Sequence, residues 1–343
     1  MKKSKRQIHE TKGSYYIYLP KEWITKQGIT KNEELNMIEF FDGSIFLKNN
    51  GIKEQDGVNR EVQIPLSKIG ENINLLKSYI LAAYIIGAEQ ISIFSDNKEK
   101  INASKREEII NQIRLLSGFE IVKETKTLIQ TREIGKVSDI SSIIQTLFST
   151  TLIMLKSLLE IEENNDLEEV TKELSAIISR DEDVNRYRYM IDRQTHLVLS
   201  NPSLGVELKL NPVLIFHLAR VAQNIERIGD HVSELALLLQ QKIKKRMKVF
   251  STFQDLLNEI LESYENLSKI YKFGNYPQTF DLLEYMRALE IRIKKTIEAS
   301  SSSKSILLYH FGRIVGYSIN VAEITIDQIA FDELFEDLEV EVV

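Results

Sequence analysis

Glu226 and Asp230 are the residues from which chemistry is first expected. They stand four apart in Glu226-Arg227-Ile228-Gly229-Asp230-His231, within a helical run from about 211 to 240. That spacing sets both carboxylates on one helix face, one turn above the other. Around them Leu218, Ala222, Ile225, Ile228, Val232, Leu235 and Leu239 repeat at three- and four-residue steps, which buries a stripe of the same helix. The acids therefore border an apolar face, where an isolated carboxylate is costly to desolvate. A bound metal ion, a hydrogen-bond network or a solvated ladder with Arg227 as counter-ion each answers that cost.

The elements that must position this pair are long helices. From Lys136 onward the pattern is helical, with helices expected at 138–162, 166–199, 212–245, 251–273, 277–300 and 305–336. Breaks fall at Asn164-Asn165, Asn201-Pro202-Ser203, Gly274-Asn275 and Ser300 to Ser303. Six helices make two sets of three. An internal comparison supports a repeat, because the ten residues from Arg227 to Ala236 align with those from Arg313 to Ala322. Glu226 then corresponds to Gly312 and Asp230 to Gly316, so one copy carries the acids and the other is stripped of them.

The string Glu-Arg-Ile-Gly-Asp-His, with Ala236 beyond it, resembles the signature helix of the PhoU family of phosphate-uptake regulators. The resemblance implies two three-helix bundles, at 136–248 and 251–343, whose acidic motifs hold metal ions on the bundle surface. The other family motif, an acid four residues before Asp, is matched by Asp181-Glu182-Asp183-Val184-Asn185, where Asn185 replaces the final Asp. On this reading Asp181, Asp183 and Asn185, with Glu226 and Asp230, form the metal set of the first bundle. All-oxygen ligation favours iron, manganese, magnesium or calcium over zinc. Asn185 offers a carbonyl oxygen without charge, which weakens such a cluster. The second bundle keeps only Glu290. The alternative for all these acids is an ion-pair network with Arg180, Arg186 and Arg227.

Composition narrows the classes. The chain has 343 residues, 43% of them hydrophobic, enough for two or three domains with real cores. Five prolines and 14 glycines leave room for long regular elements. There is no cysteine, which excludes disulfides, thiolate metal sites and cysteine catalysis. The five histidines form no His-x-x-x-His pair, and the expected helices of the body hold no Glu-x-x-His, so neither a zinc hydrolase nor a di-metal oxidase is expected. No apolar run approaching the roughly 20 residues of a membrane span is expected, and the protein is expected in the cytoplasm without membrane insertion.

Net charge is −6, yet residues 1–31 carry eight Lys/Arg and two Glu. A basic end on an acidic body suits nucleic acid or an acidic partner. Residues 7–49 read as a small β-rich module: a β-prone run Tyr15 to Leu19, a helical turn from Pro20 to Gln27 stopped by Gly28, and a hairpin about Asp42-Gly43. So short a stretch encloses no core of its own, so a dimer through residues 1–50 is expected.

This module resembles the SpoVT/AbrB domain, a swapped-hairpin barrel of transcription factors and antitoxins, through Gly13-Ser14-Tyr15, Leu19-Pro20-Lys21-Glu22-Trp23, Gly28-Ile29 and Asp42-Gly43-Ser44. The acidic pair Glu33-Glu34 stands where that family has Gly-Asp, which questions the geometry of that turn. The resemblance implies that Lys5, Arg6, Lys12, Lys21 and Lys26 face duplex promoter DNA; dimerisation alone is the alternative. Residues 51–59 read as a linker, and 60–133 as a βαβαβ domain of unknown role without a phosphate loop.

The expected protein is thus multi-domain and mainly α: an AbrB-like barrel at 1–50, an α/β domain at 60–133 and two PhoU-like bundles. Its expected role is non-enzymatic regulation of phosphate uptake through DNA. The rival is an adaptor that docks on a phosphate transporter subunit or signalling partner and uses its N-terminal module only to dimerise. Lys242 to Lys248 reads as a solvated helix end, and Asp327 to Glu341 as an acidic continuation of the last helix.

Overall fold

The computed structural model describes residues 5–39, 43–49, 60–97, 99–135, 139–161, 166–241, 248 and 250–335. The chain divides into two compact units, one of residues 1–59 with 334–343 and the other of Arg60–Glu333.

In the first unit, β1 (His9–Thr11) pairs antiparallel with β2 (Ser14–Tyr16), and β3 (Leu35–Glu39) pairs with β4 (Ile45–Asn49). Helix α1 (Lys21–Lys26) lies between them in sequence, entered from Pro20 and stopped before Gly28, whose φ is +64°. Strand β1 was not expected. The left-handed step near Glu33-Glu34 is taken by Asn32, at φ +69°, so that turn manages without a glycine by using a residue tolerant of this region. No hydrophobic side chain described between residues 5 and 49 is buried. Two separate two-stranded ribbons form here, and such ribbons are marginal alone. The expected linker at 51–59 and most of the Lys242 to Lys248 run lie outside the described residues, as does the acidic tail beyond Phe335.

The second unit begins with a four-stranded sheet of order β5-β6-β8-β7, built from β5 (Glu61–Pro65), β6 (Gln90–Phe94), β7 (Phe119–Glu124) and β8 (Leu128–Glu133). Strands β5 and β6 are parallel and the other pairs antiparallel. Helices α2 (Ile73–Ile85) and α3 (Ala103–Arg114) bury Leu76, Ile80, Tyr84, Ile109 and Ile113 in one core with Ile64, Ile91, Ile93 and Ile129 of the strands. This is the expected βαβαβ pattern, and β8 falls on the further strand that the sequence suggests at 127–131.

The helical body follows as α4 (Ile140–Leu159), α5 (Leu167–Ser200), a short α6 (Pro202–Glu207), α7 (Pro212–Gln240), α8 (Gln254–Phe273), α9 (Tyr276–Glu298) and α10 (Ser302–Phe335). Side chains of Asp139, Asp166, Asn211 and Asn275 cap α4, α5, α7 and α9 by accepting early backbone N–H groups, which fixes where those helices start. Helix α6 corrects the expectation of a plain break at 201–203, because Pro202 suits a first helical position. One apolar core runs through all six long helices. Helix α4 packs on α5 and α7 and also on α8, where the Thr151 and Tyr264 hydroxyls meet at 2.6 Å in the core.

Helix α4 also corrects the expectation about apolar runs. By length and composition it is long and apolar enough to cross a membrane, with a mean hydropathy of 1.4. Its Ile143, Ile144, Leu147, Met154, Leu155 and Leu158 are buried in the bundle, while Thr146, Ser149 and Thr150 return their hydroxyls to backbone carbonyls one turn back. The average stays high because the outer face of this amphipathic helix carries uncharged Ser and Thr, with Lys156 its one charged residue.

Candidate functional site

Helices α5 and α7 bring the acids together. On α5, Asp181, Asn185, Arg188 and Asp192 follow at steps of four, three and four, one continuous stripe. On α7 the facing residues are Glu226 and Asp230. The close approach is made by Gly229: a Cβ there would sit 3.1 Å from Val184 Cγ1 of α5 and 3.4 Å from Thr151 Cγ2 of α4.

Glu226 is only 5% exposed although it is an acid. Arg188 Nη1 lies 3.5 Å from its Oε1, and Arg227 Nε lies 3.6 Å from its Oε2. Arg188 also reaches Asp192 at 3.2 Å, and Arg227 donates to Asp230 Oδ2 at 3.0 Å. Asn185 Nδ2 donates to Asp181 Oδ2 at 3.2 Å. Two buried carboxylate oxygens, Glu226 Oε2 and Asp181 Oδ1, have no hydrogen-bond partner.

The electrostatics follow from burial and like charge. Desolvation, then the charge of Asp230, pushes the Asp181 carboxyl up from 3.8 to about 6. Desolvation and Asp230 likewise raise Glu226, against the pull of Arg188 and Arg227. Asp230 is raised by burial and held back by Arg227. Next to Asp230, His231 Nδ1 lies 3.0 Å from His310 Nδ1 of α10, its ring stacked on Tyr317 at 5.8 Å between centroids. Burial and the neighbouring His310 push the His231 pKa down to about 4. Asn320 donates to Asn224 at 2.9 Å and Arg220 reaches Asp327 at 3.7 Å. Those pairs make the two repeated helices antiparallel neighbours.

Of the expected site residues, Asp181, Asn185, Glu226 and Asp230 come together and Asp183 does not. Two residues beyond Asp181, it stands about 200° around the helix and pairs with Arg186 at 3.0 Å. Asp183 therefore leaves the set. Sequence reasoning missed Arg188, Asp192 and His310; the seven- and eleven-residue spacing from Asp181 marks the first two. In the second bundle Arg313 lies over Tyr317 at 4.5 Å, and Glu290 pairs with Lys294 at 2.9 Å.

Tested as a cation site, the cluster offers all-oxygen donors and two orphaned oxygens, which suits a hard metal ion. Against this, no three Asp, Glu or His side chains gather in a metal-holding group among the described residues. Two guanidiniums already stand beside Glu226. With those cations in place, these residues do not fit a metal ion.

In the first unit Lys5, Arg6, Lys12, Lys21 and Lys26 are all exposed. Lys12 occupies the β1–β2 turn at φ +54°, and Lys21 and Lys26 close the two ends of α1. His9, Tyr16 and Tyr18 cluster with ring centroids 5.3–5.8 Å apart. Ile8, Tyr15, Tyr18 and Met37 are each more than half exposed.

Residues 144–239, most of α4 with α5 and α7, match the family model for the PhoU domain. Among solved structures, the crystal structure of the phosphate transport system regulatory protein PhoU from Streptococcus pneumoniae aligns at 15% identity with a TM-score of 0.39. That alignment covers 55% of this chain and 91% of that one. Comparison with curated proteins gives no match.

Proposed function

We propose that this chain is a cytoplasmic regulator of phosphate uptake that works by binding rather than catalysis. Its N-terminal module, completed by a second copy of the chain through residues 1–50, contacts promoter DNA with Lys5, Arg6, Lys12, Lys21 and Lys26. The observation that carries the phosphate role is the PhoU-domain match over 144–239, which covers the helices that hold Glu226 and Asp230. The module's exposed apolar side chains and lack of a buried hydrophobic residue support completion by a second copy, since so small a chain segment cannot bury enough surface alone. Five exposed cations in that module support a polyanionic partner.

A second reading keeps the same body but makes it an adaptor on a phosphate transporter subunit, with the N-terminal module as a clasp. The exposed Tyr15 and Tyr18 between Lys12 and Lys21, together with exposed Met37, favour it, because such side chains suit protein contacts.

Duplex binding across salt separates the two readings. The full chain is expected to bind promoter DNA and to weaken at least about tenfold between 50 and 200 mM salt. Replacing Lys12, Lys21 and Lys26 by Ala is expected to flatten the log affinity against log salt slope by roughly 2 to 3. Absence of DNA binding by the unaltered chain refutes the first reading and leaves the adaptor.

A further inference from the structure

We propose that the cation of the α5–α7 acid cluster is supplied by the chain itself, as the guanidiniums of Arg188 and Arg227, so that this body folds and works without a metal ion. Glu226 lies between both arginines at 3.5 and 3.6 Å, and each arginine extends to a further acid, Asp192 or Asp230. A guanidinium stays charged at any working pH and presents a planar fork of donors. A hard divalent ion brought to Glu226 meets two fixed positive charges, and displacing either one strands Asp192 or Asp230.

Three features point the same way. Asn185 puts an uncharged amide where another carboxylate would strengthen a cation site, and it spends an N–H on Asp181 Oδ2. Asp183 is turned out of the cluster onto Arg186. In the repeat copy Gly312 and Gly316 replace the acids, and Arg313 there settles on the Tyr317 ring. Where the acids are absent the arginine finds an aromatic face; where they are present it takes the position of the cation.

The test uses the full chain. Purified protein dialysed against manganese, iron(II) or magnesium and then passed through a desalting column is expected to retain less than about a tenth of an equivalent by elemental analysis. Its unfolding temperature is expected to be the same in EDTA and in manganese. A double-mutant cycle in EDTA, with Arg188→Gln, Glu226→Gln and both together, is expected to show coupling: Arg188→Gln lowers the unfolding temperature less beside Glu226→Gln than in the parent. One equivalent of metal retained by the unaltered chain and released by Asp230→Asn overturns the proposal. So does additivity of the two single changes in EDTA.

Discussion

Asp181 is the cluster's residue without a cation, and its behaviour with pH is a prediction at the residue scale. Its pKa in the folded chain is about 6, against an ordinary 3.8. A carboxyl raised on folding binds more protons in the native state than in the unfolded one, so its contribution to stability is fully present below about 3.8 and is lost as pH rises through about 6. Asp181→Asn, which keeps an acceptor for Asn185, is therefore expected to unfold at a higher temperature than the parent at pH 7.5. The difference is expected to vanish near pH 4, and thermal melts over that range measure it. A constant difference across the range disproves the assignment. At this scale four-residue spacing made Asp181, Asn185, Glu226 and Asp230 legible as two facing pairs. It did not expose Asp183 as an outsider, because a contiguous Asp-Glu-Asp string does not say which acid faces the neighbouring helix.

Between elements, the decisive contact is α5 on α7 at Gly229. The glycine's lack of a side chain lets Val184 and Thr151 close onto the α7 backbone, and that closeness sets the acids of one helix against those of the other. Gly229→Val places branched methyls where neighbours already stand at 3.1 and 3.4 Å, and overpacking of this kind costs roughly 1–3 kcal/mol. Chemical denaturation is expected to show that loss. Retention of full stability means that the two helices can part without strain. The apolar period of α7 was readable in the sequence, and so were the helix boundaries to within a few residues. The antiparallel pairing of α7 with α10, and with it the contact of His231 and His310, was not: residues 79 apart meet only after both helices have packed.

For the whole molecule, Arg193 joins the α/β part to the helical body. It is 3% exposed, donates to the Tyr84 carbonyl, pairs with Glu133 at 2.8 Å and lies 5.0 and 5.1 Å from the Tyr84 and Phe119 ring centroids. Arg193→Met strands Glu133 and that carbonyl, a loss of about 3–5 kcal/mol for a broken buried pair. Equilibrium unfolding checks it, and a loss under about 1 kcal/mol would show that the pair behaves as an exposed one. What the sequence alone determined is local: helix and strand periods, caps, turns, the acid-bearing and stripped repeats, and the basic character of the N-terminal module. Each follows from spacing along one segment. Tertiary structure decided what depends on segments far apart in the chain. It added Arg188, from another helix, to the neighbouring Arg227 as a partner of Glu226, and it removed Asp183 from the cluster. It also joined the sheet of Arg60–Glu333 to the helices as one compact unit, because burial against a distant neighbour, not local period, settles which charged side chains must find each other.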